Sequence, residues 1–88
     1  MKAVIKYKMF APNQKLCIIE DGHISNTIII NSFDIAEVAN EIVASAKEMN
    51  IDEIDIAGVP NYTKKLGETI QKSQLLNYNC DTLKINYI

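Results

Sequence analysis

Arginine is missing from this chain; all nine of its basic side chains are lysines. Arginine is the residue that reads guanine edges and clamps phosphates through paired hydrogen bonds. Its absence argues against sequence-specific nucleic-acid recognition but leaves room for a local lysine patch. A chain rich in Ile, Asn and Lys is also what AT-biased coding produces, so the absence need carry no functional message. Tryptophan is absent as well. The single histidine, His23, excludes any multi-histidine metal site. Two cysteines, Cys17 and Cys80, are too few and too widely spaced for a disulfide framework or a zinc site. They are expected to be reduced thiols in a cytoplasmic protein. No apolar run approaches the roughly 18–20 residues of a membrane-crossing helix, so no membrane partner is expected. The opening "MKAVIKYKMF" interleaves lysines with apolar residues and lacks the unbroken apolar core of a secretory signal. Gly and Pro are scarce, at three and two, so no linker or low-complexity tract interrupts the 88 residues.

What is present is apolar and patterned. The chain is 48% hydrophobic, and fifteen of its residues are isoleucine. It is long enough for one domain that buries about 60–65% of its unfolded surface, a thin stability margin. "KAVIKYKMF" (Lys2–Phe10) alternates, with Ala3, Ile5, Tyr7 and Met9 on one side and Lys2, Val4, Lys6 and Lys8 on the other. "KLCIIE" (Lys15–Glu20) reads as a second strand. Asp21-Gly22 is a type I′ hairpin signal leading into "HISNTIIIN" (His23–Asn31). The period then changes from two to 3.6. Ser32 is the expected N-cap, and Ile35, Val38, Ala39, Ile42, Val43, Ala46 and Met49 form one apolar stripe on a helix ending near Asn50. "DEIDIAGV" (Asp52–Val59) is a fourth strand. Asn61 to about Ser73 is a second helix weakened by Gly67, and "TLKINYI" (Thr82–Ile88) is a last strand.

The order β-β-β-α-β-α-β has one natural closure. Right-handed crossovers stepping the same way put both helices on one face of a five-stranded mixed sheet of order 3-2-1-4-5, an α/β domain. The other face stays open. It is expected to carry Val4, Lys6, Lys8, Asp55, Ala57, Lys84 and Asn86, with Ile19 or Ile29 as apolar members.

That order of elements resembles the ribonuclease H-like superfamily. The segment "EIVASAKEMNIDEIDIAGVPNYTKKLGETIQK" (Glu41–Lys72) also resembles the second half of the bacterial Holliday-junction resolvase family. The resemblance implies a metal-dependent nuclease holding two Mg²⁺ ions, one through an Asp in the middle of the first strand. Here that strand is "AVIKYKMF", with no carboxylate and with Lys6 and Lys8 in its place. "FAPNQK" likewise lacks the Gly-rich hairpin of the nucleotide-binding relatives. No catalytic residue, metal or cofactor is therefore expected; a nuclease using Asp55 with Glu20 or Asp34 is the minor alternative.

The remaining candidates are modest. Asp55 is expected to be solvated on the open face, beside Lys6, Lys8 or Lys84. The turn "AGVPNYTKK" offers a helix start with Gly58, Asn61, Lys64 and Lys65 as a candidate anion site, and reads first as a connection capped by Asn61. Lys2, Lys6, Lys8 and Lys84 form a candidate basic stripe with no aromatic among them. His23 has no catalytic partners, and nothing near Cys80 in sequence lowers its pKa. The expected function is a non-enzymatic interaction or accessory module. It would self-associate or bind a protein partner through the open face or an edge strand, as small accessory proteins of phages and mobile elements do. The alternative is a degenerate nuclease-like domain binding nucleic acid through its lysines.

Overall fold

The hairpin forms where the turn chemistry asks for it. In the computed structural model, which describes residues 1–88, Asp21 (φ 54°) and Gly22 (φ 79°) both take the left-handed backbone of a primed turn. They join β2 (Gln14–Glu20) to β3 (His23–Ile30). β1 (Lys2–Lys6) lies antiparallel to the other side of β2. A helix, α1 (Ile35–Met49), then leads to β4 (Glu53–Ala57), and α2 (Pro60–Tyr78) leads to β5 (Lys84–Tyr87). β4 pairs parallel with β1, and β5 parallel with β4, giving one mixed sheet of order β3-β2-β1-β4-β5. This is the expected topology.

Both helices cover one face. Ala3, Ile5, Leu16, Ile18, Ile54 and Ile56 from the strands meet Val38, Ile42, Val43, Leu66 and Ile70 from the helices in a single buried cluster. The expected α1 stripe holds, from Val38 through Ala46.

Element ends differ from the sequence reading, and each difference has a local cause. β1 stops at Lys6 rather than Phe10. The buried Gln14 side chain captures the backbone of Lys8, accepting from its N–H (3.0 Å) and donating to its carbonyl (2.6 Å). The chain then turns, with Ala11 N–H reaching the Lys8 carbonyl and Phe10 at φ 66°. Met9, expected to point inward, is 39% exposed. Asp34, not Ser32, caps α1: its Oδ1 accepts from Ala36 and Glu37 N–H, while Ser32 Oγ accepts from Asp34 N–H. Asp takes the position because its carboxylate suits the positive end of the helix. Asn50, left-handed at φ 56°, closes α1 as expected. α2 starts at Pro60, whose fixed φ suits a first helical position. Val59 is the cap residue and supplies no side-chain bond, so Asn61 is not the cap. α2 also runs five residues past Ser73. β4 and β5 are shorter than expected at both ends.

Candidate interaction face

The open side of the sheet is built by the pleat. Register places Lys15, Cys17 and Ile19 of β2, Lys2, Val4 and Lys6 of β1, and Glu53, Asp55 and Ala57 of β4 on one face. Lys84 and Asn86 of β5 follow through their pairing with Glu53 and Asp55. On β3 the register shifts opposite Ile18/Ile19, so that Ile24 pairs with Ile19, Thr27 with Cys17 and Ile29 with Lys15. The bulge therefore brings Ile24 and Ile29, five positions apart, to the same open side. Both Ile19 and Ile29, the expected apolar members, lie there.

This face divides in two. Across β1, β4 and β5 runs a closed polar network. Lys2 Nζ sits 2.8 Å from Asp55 Oδ2. Asn86 Nδ2 donates to Asp55 Oδ1 (3.0 Å) and to Glu53 Oε2 (2.6 Å). Asp55 is not the solvated residue the sequence suggested: it is 8% exposed, and its partner is Lys2 rather than Lys6, Lys8 or Lys84. Parallel register explains the partner. Asp55 lies beside Val4, so Lys2, one pleat repeat earlier on the same face, is within reach along the strand. The hydrogen bond from Lys2, then that from Asn86, lowers the Asp55 carboxyl pKa. The same bond to Asp55 raises that of the Lys2 ammonium.

The half over β1, β2 and β3 is open. Val4, Cys17, Ile19, Ile24, Thr27 and Ile29 lie here without a partner element over them. At its upper end Lys6, Lys8 and Lys15 rim a concavity of about 460 Å³ with Val4, Cys17 and the Ala11–Gln14 loop. None of these lysines is ion-paired; the two ion pairs of the molecule are Met1–Asp52 and Lys2–Asp55. The expected basic stripe is thus regrouped: Lys2 is tied to Asp55, Lys84 stands on the far side of the polar network, and Lys15 joins Lys6 and Lys8. An aromatic does stand near. Lys6 and Lys8 also border a second concavity with Met9, Phe10, Val59 and Tyr62. Phe10 is 75% exposed and lies 6.2 Å from Phe33, whose carbonyl accepts from the buried Tyr7 hydroxyl (2.8 Å).

At the candidate anion turn, Gly58 is needed for close backbone approach. A Cβ there would stand 2.6 Å from the Tyr7 carbonyl oxygen, and its φ of 142° is a conformation side chains avoid. Lys64 opens onto a hollow with Thr63, Glu68 and Tyr87, and Lys65 onto a different one with Phe33 and Asp34, so the two cations diverge. Asn61 is exposed. Of the minor nuclease grouping, Asp55 is held by Lys2 and Asn86. Asp34 is spent on capping α1, and no three His, Cys, Asp or Glu side chains converge as metal ligands. His23 is exposed at the hairpin. Cys80 departs from expectation: the Lys47 side chain lowers its thiol pKa against a smaller effect of burial. Lys47 comes from α1, 33 positions away in the chain, so no sequence signal marks it.

Lys15 was legible in the sequence as the residue alternating with Leu16. The exposure of Phe10 and the bulge in β3 were not, because each follows from backbone geometry rather than residue type. Compared with known proteins, the chain matches no family model, no curated protein and no solved structure. No helix is long and apolar enough to cross a membrane.

Proposed function

We propose that the chain is a non-enzymatic interaction module of the cytoplasm that self-associates or binds a protein partner through the β3 side of its sheet. One observation carries this reading. The sheet is covered on one face only, and the uncovered half over β1–β3 presents Ile24 and Ile29, 62% and 46% exposed, on the strand away from its lysines. A small domain with such a face gains stability from whatever covers it. The topology supports a ribonuclease H-like ancestry, and the lysines on β1, where those nucleases carry an aspartate, support a lineage without their chemistry.

A specific observation favours a second reading. Unpaired Lys6 and Lys8, which border Lys15 on one side and exposed Phe10 on the other, resemble the cation-and-aromatic surfaces that hold single-stranded nucleic acid. The two readings differ in salt dependence, since lysine–phosphate contacts release counterions and apolar association does not. Solution mass is to be measured by light scattering at low and high salt, with and without a mixed oligonucleotide, beside the Lys6→Glu/Lys15→Glu variant. The interaction module predicts a salt-tolerant oligomer, or salt-tolerant capture of a protein partner, that ignores the oligonucleotide. An oligonucleotide complex that dissolves with salt and is lost in the variant would establish the second reading instead.

A further inference from the structure

The two edges of the sheet are protected very differently. Natural edge strands are blunted by shortness, by lysine or proline, or by a covering element, because their outward N–H and C=O groups otherwise template pairing with another chain. β5 is four residues long and begins with Lys84. β3 is eight residues long, "HISNTIII", and carries no Lys, Glu, Asp or Pro. No element packs along its free side; β2 is its one strand neighbour. It is exposed along its length until Ile28 and Ile30 reach the core face. The bulge increases the local twist at its start but leaves Asn26 to Ile30 in unbroken pairing with β2.

We infer that β3 pairs antiparallel with β3 of a second copy, joining two five-stranded sheets into one ten-stranded sheet about a two-fold axis. This rests on the interaction-module reading and names its partner. Three features select a second copy over other occupants. An uncharged strand meets itself without like charges opposite each other. Antiparallel pairing is self-complementary and closes at two chains, as a two-fold contact must. The flanks are also of opposite sign. Glu20 and Asp21 lie at the His23 end of β3, and Lys15 stands beside Ile29 at the other. Antiparallel pairing sets the acidic end of one copy against the basic end of its mate. The open half-faces then become continuous, with Ile24 and Ile29 of both copies near the seam.

The test is light scattering over a concentration series with hydrogen exchange of the β3 amides at its two extremes. Wild type is compared with Thr27→Lys and Ile29→Lys, which place a cation on the edge at exposed positions, and with Val4→Lys, which places one in the middle of the open face. Circular dichroism melts confirm that each variant folds. The inference expects a mass of twice 9.9 kDa at high concentration, β3 amides that exchange at least tenfold more slowly in the dimer, loss of the dimer in both edge variants, and its retention in Val4→Lys. A dimer broken by Val4→Lys, with β3 exchange independent of concentration, would overturn the edge pairing and leave the interaction-module reading standing on the face. A mass that climbs without limit would overturn the closed dimer in favour of β3 pairing with β5. A monomer throughout would overturn self-pairing, and a salt-tolerant protein complex of that monomer would still uphold the module.

Discussion

At the scale of single residues, position on the sheet decides chemistry more than residue type does. Asp55 and Glu53 both face the open side of β4, yet Asp55 alone has a cation at 2.8 Å. Because its folded pKa lies below the unfolded value of about 3.9, the Lys2 bond contributes stability that is present above that value and lost as pH falls through the folded pKa. On the alkaline side the raised Lys2 pKa works in the opposite sense. Its contribution is full below the unfolded value of about 10.4 and lost as pH rises through the folded one. Melting temperature against pH is expected to fall more steeply below about pH 4 in wild type than in Asp55→Asn. Parallel acid limbs in the two proteins would show that the bond contributes nothing to folding. Phe10 is the other informative residue. A bulky side chain at positive φ is unfavourable, and it is held there by Gln14 on the Lys8 backbone. No feature of "KMFAPN" announces this, since the cause is a buried amide that arrives only with β2.

At the scale of elements, the sequence pattern placed the centres and local contacts placed the ends. The α1 stripe was readable from its period, whereas its cap fell to Asp34 two residues after the expected Ser32. α2 shows how tertiary packing assigns a meaning to a residue. Gly67 looked like a simple weakness in a helix. In the fold, a Cβ at that position would run into the hydroxyl end of Tyr87 on β5, so the missing side chain lets the helix approach the strand. Gly67→Ala should therefore raise stability by about 1 kcal/mol in a Tyr87→Ala background, where only helix propensity is at stake. In the wild-type background the gain should vanish or reverse. Urea denaturation of the four proteins measures the coupling, and equal effects in both backgrounds would remove Tyr87 from the explanation.

At the scale of the whole molecule, one layer of helices over one side of a sheet makes a thin protein. A chain of this length is expected to be stable by about 4–13 kcal/mol. Ile42, 1% exposed, sits between α1 and the strands. Ile42→Ala should cost about 2–5 kcal/mol, a large part of that total. Ile42→Asp, which buries an unpaired charge, should leave no cooperative melt. A melt of Ile42→Asp near the parent's temperature would refute this placement of the helix. The same thinness gives the uncovered half-face and the β3 edge their meaning, since a second copy would extend the sheet without disturbing the existing core.

The sequence by itself determined the order of elements, the 3-2-1-4-5 sheet and the sidedness of the core. These follow from the period of the apolar residues, the Asp21-Gly22 turn and the handedness of crossovers, all of which are local or topological. Only the tertiary structure decided which open-face residues act together. Lys2 and Asn86 meet at Asp55 because parallel register brings three strands level. Lys15 joins Lys6 and Lys8 because β2 runs back beside β1, and Ile24 and Ile29 share a face because a bulge shifts the pleat by one. Side chains from separate strands meet only through register, and register is a property of the assembled sheet.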